Sequence, residues 1–148
     1  MTRQSIPPQT QSLTAAEINE AIASRWPNIA SSCVALGSDH ATAVVCPGDD
    51  AIRPGGYISG PTLFGTADAA LWYLVFGVIG RIEPLALTSE LSIRFLSPAV
   101  GEKVYARAVL NRANRRSVIG TVTVWTDDNQ AEPCATAQGT YIIPATGD

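Results

Sequence analysis

The chain has 148 residues, 46% apolar and 16% charged, with a formal net charge of −3. That length suits one domain with a core of its own, and the balance of apolar to charged residues excludes a disordered chain. The acidic balance gives no broad basic surface, which argues against nucleic acid as a partner, although a local arginine cluster can still hold a small polyanion.

Residues 1–12 read as a flexible tail, polar and carrying Pro7 and Pro8, with no secretory leader. A single domain, 13–148, is expected to follow, in a cytoplasmic protein. Thr14-Ala15-Ala16-Glu17 has the capping-box pattern, and Ile18, Ala21, Ile22 and Trp26 recur at helical spacing. A short helix from Ala15 to Arg25 is expected, stopped by Pro27. Cys33 to Leu36 and Ala41 to Cys46 are strand-like runs joined by Gly37-Ser38-Asp39-His40, a hairpin signal. Pro47 to Asp50 and Arg53 to Gly56 are turn-rich.

Ser59-Gly60-Pro61 starts a second helix, because proline in the first turn has a preset φ and lacks an amide that would be unpaired anyway. To about Ile79 this helix is apolar on nearly every side, so it is expected to be surrounded by protein. Tyr57 to Gly80 contains one charge, Asp68, but its glycines, Pro61 and Thr66 leave the uninterrupted apolar part too short for a membrane span. Four strand-like runs follow, Leu85 to Leu96, Val104 to Asn111, Val118 to Thr126 and Cys134 to Ile143, broken by Ser97-Pro98, Asn114-Arg115 and Asp127-Asp128-Asn129. Short linkers favour antiparallel meander pairing. The fold class expected is α+β: an antiparallel sheet wrapped around one long central helix, with a short N-terminal helix, which is the hotdog arrangement.

Cys33, Cys46 and Cys134 form no CxxC pair, and the single histidine, His40, completes no usual zinc set. They read as packed, reduced thiols of a reducing compartment, and no metal is expected.

Asp68 is the most informative residue. An ionised carboxylate costs several kcal/mol to bury without a partner, so it is either a hydrogen-bonded structural group, one facing a solvent pocket, or a base or nucleophile. Gly60 is the second candidate: free amides at a helix N-terminus stabilise developing negative charge, and glycine admits a close carbonyl. Eight residues separate the two, about 12 Å along a helix, too far for both to serve one reacting carbon. Two helices running antiparallel about a two-fold axis would bring Gly60 of one subunit to Asp68 of the other.

Ser59-Gly60-Pro61-Thr62-Leu63-Phe64-Gly65-Thr66-Ala67-Asp68 resembles the His-Gly-Gly-(x)6-Asp pattern of hotdog acyl-CoA thioesterases of the phenylacetate-degradation and 4-hydroxybenzoyl-CoA type. Leu91-Ser92-Ile93-Arg94-Phe95-Leu96-Ser97-Pro98, then Gly101-Glu102, and the run from Ala135 to Tyr141 are similar to that family's later strands. The resemblance spans about 33–144. It implies that the Gly60 amide polarises the thioester carbonyl, that Asp68 activates water or attacks directly, and that Thr88 helps to position the water. Arg53 stands where relatives often carry Asn or Gln. Ser59 and Pro61 replace the family's His and second Gly, and with Arg53 they are candidate substrate contacts.

Strict alternation puts Leu87, Leu91, Ile93 and Phe95 on one strand face and Thr88, Glu90 and Arg94 on the other, which opposes a catalytic part for Thr88. Arg112, Arg115 and Arg116 cluster near one turn, either as a solvated hairpin tip or as a fork for the phosphates of coenzyme A. Trp72, Tyr73 and Phe76 either line an acyl pocket or pack the core. His40 falls in a hairpin turn, so a histidine-based hotdog dehydratase is disfavoured. No Lys-Ser/Thr follows Gly65, so a phosphate loop is excluded, and no Gly-x-Ser-x-Gly elbow is present.

The expected activity is hydrolysis of an acyl-CoA thioester to a carboxylic acid and CoA, without metal or redox cofactor, by a homodimer or dimer of dimers that binds neither nucleic acid nor membrane. The rivals are a non-catalytic acyl-CoA-binding hotdog protein and a purely structural subunit.

Overall fold

The computed structural model describes residues 12–145; residues 1–11 of the expected tail lie outside them. Helix α1, Ala15–Arg25, begins where the capping box placed it: Thr14 accepts the Glu17 amide at 3.2 Å. Its Ile18 and Ile22 are buried. The Asn19 side chain bonds both the amide and the carbonyl of Cys33, at 2.7 and 2.8 Å, and so ties α1 to strand β1, Ser31–Leu36.

Strand β2, His40–Val45, pairs with β1 across a turn at Gly37, Ser38 and Asp39, so His40 opens a strand rather than sitting in the turn. A 3-10 turn at Asp49–Ala51 and a two-residue pair, β3 Ile52–Arg53 with β4 Tyr57–Ile58, lead into the long helix α2, Gly60–Ile79. Ser59 caps α2 by accepting the Thr62 amide, and Gly80 closes it at φ 76°. Strands β5 Leu87–Phe95, β6 Val104–Ala113, β7 Ser117–Thr126 and β8 Ala135–Ile142 complete the chain.

Six of these strands form one antiparallel sheet in the order β1-β2-β6-β7-β8-β5. This is the hotdog fold, with α2 as its core. The meander expectation holds for β6-β7-β8 and fails for β5, which pairs with β8. The connection 96–103 then returns across three strand spacings, roughly 14 Å, a distance that eight residues span easily. It is stitched on the way by Leu96 N to Cys134 O and by Ile58 N to Ala99 O, both 2.8 Å.

The packing divides by size. The helix supplies large side chains, among them Leu71, Tyr73, Leu74 and Phe76, all at most 1% exposed. The sheet answers with small ones: Ala41, Ala43, Ala106, Ala108, Ala135 and Ala137. Large against small lets the layers interdigitate without voids.

Three further expectations need correction. First, α2 is not enclosed on every side. Pro61, Phe64 and Gly65 are exposed and Asp68, Ala69 and Trp72 half-buried, and their three- and four-residue spacing makes them one uncovered strip. Second, the face reading of β5 is overturned by a bulge. Thr88 pairs with Tyr141 and Leu91 with Gly139, so β5 takes three residues where β8 takes two. One extra residue inverts the side-chain phase. Thr88 therefore shares the inner face with Leu91 and Ile93, while Leu87 points outward, 69% exposed. Third, of the three thiols, Cys33 and Cys134 are buried and Cys46 is exposed, so only two are packed.

Candidate active site

The first half of α2 leaves the sheet's shelter along its open strip, and Asp68 stands two turns in. Beside it, β5 and β8 bring up two hydroxyls. Inward positions on β8 are Ala135, Ala137, Gly139 and Tyr141, so alternation delivers Tyr141 to the helix side; the bulge delivers Thr88 next to it. Thr88 Oγ1 donates to Asp68 Oδ1 at 2.6 Å. The Tyr141 hydroxyl lies 2.8 Å from the same Oδ1 and 3.1 Å from the Asp68 main-chain oxygen. Among the described residues nothing donates to Asp68 Oδ2, no cation pairs with the carboxylate, and no buried polar side-chain atom is left unpartnered. Asp68 is thus neither sealed in the core nor neutralised by a structural mate.

Burial, the largest influence, pushes the Tyr141 phenol well above its ordinary value; contact with Thr88 opposes this and the Asp68 charge adds to it. Tyr141 remains a protonated donor at any working pH.

Asp68, Thr88 and Tyr141 line a cavity of about 520 Å³ whose other walls are mainly apolar, including Ile29, Val45, Ala69, Trp72, Pro84 and Ala86. Trp72 is held there by edge contacts with Trp26 at 6.3 Å and Phe76 at 4.7 Å. Tyr73 and Phe76 belong to the core. Ser31 is part of the cavity wall, its Oγ sharing a hydrogen bond of 2.6 Å with the Tyr73 hydroxyl, and burial pushes the Tyr73 phenol up to about 12.

Gly60 does not face this cavity. It lines a second one, of about 440 Å³, with Leu63, Phe95 and Pro98, as the helical separation from Asp68 requires. Ser59 is buried, its hydroxyl 2.7 Å from that of Thr62, so it serves the helix cap. Pro61 is exposed in the first turn.

Arg53 is exposed on the β3–β4 pair and does not line the Asp68 cavity. Arg112 lies on β6, next to a register shift, while Arg115 and Arg116 form the β6–β7 turn, which the Asn114 side chain holds by accepting the Arg116 and Ser117 amides at 2.9 Å each. All three arginines are exposed. The turn stands at the same end of the sheet as the cavity rim, because Ser117 pairs with Ile142 and Ile142 with Leu87. Two strand spacings, roughly 10 Å, separate β7 from β5 there. Among the described residues no group of three or more His, Cys, Asp or Glu side chains could hold a metal.

Tyr141 is the site residue that the sequence reading missed. The signal was present: it continues the small inward series on β8 as the one polar-tipped member.

The chain belongs to the thioesterase superfamily, whose family model matches residues 55–132, from ahead of α2 to the turn before β8. Similar solved structures carry the same fold. A Silicibacter protein with a provisional thioesterase name is 27% identical, covers 90% of this chain and 94% of its own, and superposes with a TM-score of 0.77. A thioesterase of Haemophilus influenzae is 16% identical over 90% of this chain and 92% of its own, at 0.75. A phenylacetic acid degradation protein of Thermus thermophilus, solved as a mutant, is 20% identical over 80% of this chain and 96% of its own, at 0.64. No curated protein matches the sequence.

Proposed function

We propose that this thioesterase hydrolyses an acyl-CoA thioester to a carboxylic acid and CoA, with Asp68 as general base or nucleophile. The observation that carries this reading is a carboxylate that has no cationic partner among the described residues and stands on the wall of a mainly apolar cavity. An acyl group would occupy that cavity against Trp72, and water or the thioester carbon would meet Asp68. The step itself calls on no metal or redox group.

The functional unit would be a homodimer, singly or in pairs. Asp68 and Gly60 line separate cavities, and the uncovered strip of α2 runs between them, with Phe64 39% exposed. A second copy laid antiparallel on that strip would set the Gly60 amide of one protomer toward the thioester carbonyl held by Asp68 of the other. Arg115 and Arg116, with Arg112 behind them, would receive CoA phosphates from the same end of the sheet. Free cysteines agree with a reducing, cytoplasmic setting.

The test is thiol release from a panel of short, long and aromatic acyl-CoA esters. Wild type should turn over at least one of them, and Asp68→Asn should lose that rate by two to four orders of magnitude, about what a removed base costs. Equal rates for the two proteins, or binding without turnover in wild type, would overturn the reading.

A further inference from the structure

We infer that Tyr141 is a positioning residue which, together with Thr88, pins Oδ1 of Asp68 and thereby makes Oδ2 the oxygen that reacts. This rests on the reading of Asp68 as the reacting carboxylate and goes beyond it by naming the oxygen and the group that selects it.

The selection follows from counting donors. A carboxylate oxygen offers two lone pairs. At Asp68 Oδ1 both are taken, one by Thr88 Oγ1 at 2.6 Å and one by the Tyr141 hydroxyl at 2.8 Å. The Thr88 contact has the short distance of a hydroxyl bound to a charged acceptor, and the Tyr141 contact has an ordinary hydroxyl distance. Oδ2 receives no donor from the described residues, and Asp68 lines the cavity. Proton removal from water, or attack on a carbonyl carbon, therefore falls to Oδ2.

The clamp is built into the sheet. Thr88 and Tyr141 are directly paired across β5 and β8; alternation along β8 turns the Tyr141 hydroxyl toward α2, and the bulge between Thr88 and Glu90 turns the Thr88 hydroxyl the same way. The tyrosine also reaches the Asp68 main-chain oxygen at 3.1 Å, so one phenol holds the helix and its carboxylate together. Burial keeps that phenol protonated, so Tyr141 acts as a donor and takes no proton itself. Its single proton is committed to Asp68, which leaves Thr88 and Tyr141 acting through the carboxylate. Freed of them, the carboxylate would rotate, and misplacement of a reacting group on the scale of 1 Å costs about a hundredfold in rate.

The experiment uses Tyr141→Phe, which keeps the ring, and Thr88→Val with Thr88→Ser as its conservative counterpart, each alone and in an Asp68→Asn background. Tyr141→Phe should lower kcat about tenfold to a hundredfold with KM within about twofold, and Thr88→Ser should recover the rate that Thr88→Val loses. In the Asp68→Asn background, adding Tyr141→Phe should leave the residual rate unchanged, because the residue works through the carboxylate. A merely structural tyrosine would lower both backgrounds alike, and that result overturns the inference. So does a Tyr141→Phe enzyme at the wild-type rate while Asp68→Asn is inactive, which leaves the role of Asp68 standing. A wild-type rate for Asp68→Asn itself overturns the reading beneath. If Tyr141→Phe melts below the assay temperature, the Thr88 pair decides the oxygen assignment by the same criteria.

Discussion

Gly120 and Gly139 stand opposite one another across β7 and β8, directly beneath Leu71 of the central helix. A Cβ on Gly120 would come within 3.0 Å of Leu71 and Leu74, and one on Gly139 within 2.8 Å of Leu71 and of the Glu90 main-chain oxygen. The pair makes a shallow seat in the sheet. Leu71 lies three residues past Asp68, and Tyr141 lies two residues past Gly139, so the seat sets how closely the carboxylate approaches its tyrosine.

Gly139→Ala should therefore damage fold and site together. The Leu71 side chain can yield, but the Glu90 carbonyl belongs to the bulged strand that carries Thr88 and cannot move alone. A loss of about 1–3 kcal/mol is expected from such overpacking, read as a lower denaturation midpoint. Thioesterase activity should fall further than the unfolded fraction explains, because α2 is lifted from β8.

How much of this arrangement the sequence disclosed depends on whether a feature is local. The bounds of α1 and the start of α2 were legible because the Thr14 capping box, Pro27 and Pro61 each act on their own helix within a few residues. The positions of the six strands of the main sheet were legible from composition and turns, and the short β3–β4 pair was not. The partner of β5 was not, since alternation tells which face a residue takes and says nothing of which strand lies beside it. The bulge at Thr88 and Glu90 is a one-residue slip that periodicity cannot register, and it reversed the apparent face of Thr88. The open strip on α2 escaped notice for another reason: Phe64 has the same chemistry whether it faces a core or a second subunit. Asp68 was found because a lone charge in an apolar helix contradicts its surroundings.

Alkaline pH should weaken the protein through groups buried in neutral form. Burial raises the Cys33 thiol from 9.0 to about 11 and the Tyr73 phenol from 10.0 to about 12. A raised value means the folded state holds its proton longer, so this contribution is whole below pH 9 and declines as pH climbs toward about 11 for Cys33 and about 12 for Tyr73. Each group adds a slope of at most about 1.4 kcal/mol per pH unit. Thermal melts from pH 8 to 11 should fall, and Cys33→Ala, whatever its starting Tm, should fall less steeply. Parallel curves would remove Cys33 from the account.

The β6–β7 turn makes a prediction about the far end of the substrate. Arg115→Ala with Arg116→Ala should raise KM for acyl-CoA several-fold, about what one or two exposed charge contacts contribute, with kcat retained. Thioesters of pantetheine, which carry no nucleotide phosphates, should show no change. Added salt should weaken wild-type binding of acyl-CoA and leave the double variant nearly indifferent. Equal effects on both substrates would place the phosphates elsewhere.

The last prediction concerns a site shared between protomers. Gly60→Val adds bulk at the first helical position, and the nearest atom a new Cβ meets is Phe95 Cζ at 3.2 Å, the far end of a side chain that is 52% exposed and free to turn aside. The variant should fold yet block a carbonyl from the helix amides, and Asp68→Asn should fold yet lack the reacting oxygen. Each alone should be inactive. If one site takes Asp68 from one protomer and Gly60 from its partner, a mixed dimer of the two variants holds one doubly damaged site and one intact site. Equal amounts, unfolded and refolded together, give mixed dimers as half of the random pairs, so about a quarter of the wild-type activity should return. A site confined to one protomer would recover nothing on mixing, because every protomer would still carry one of the two lesions.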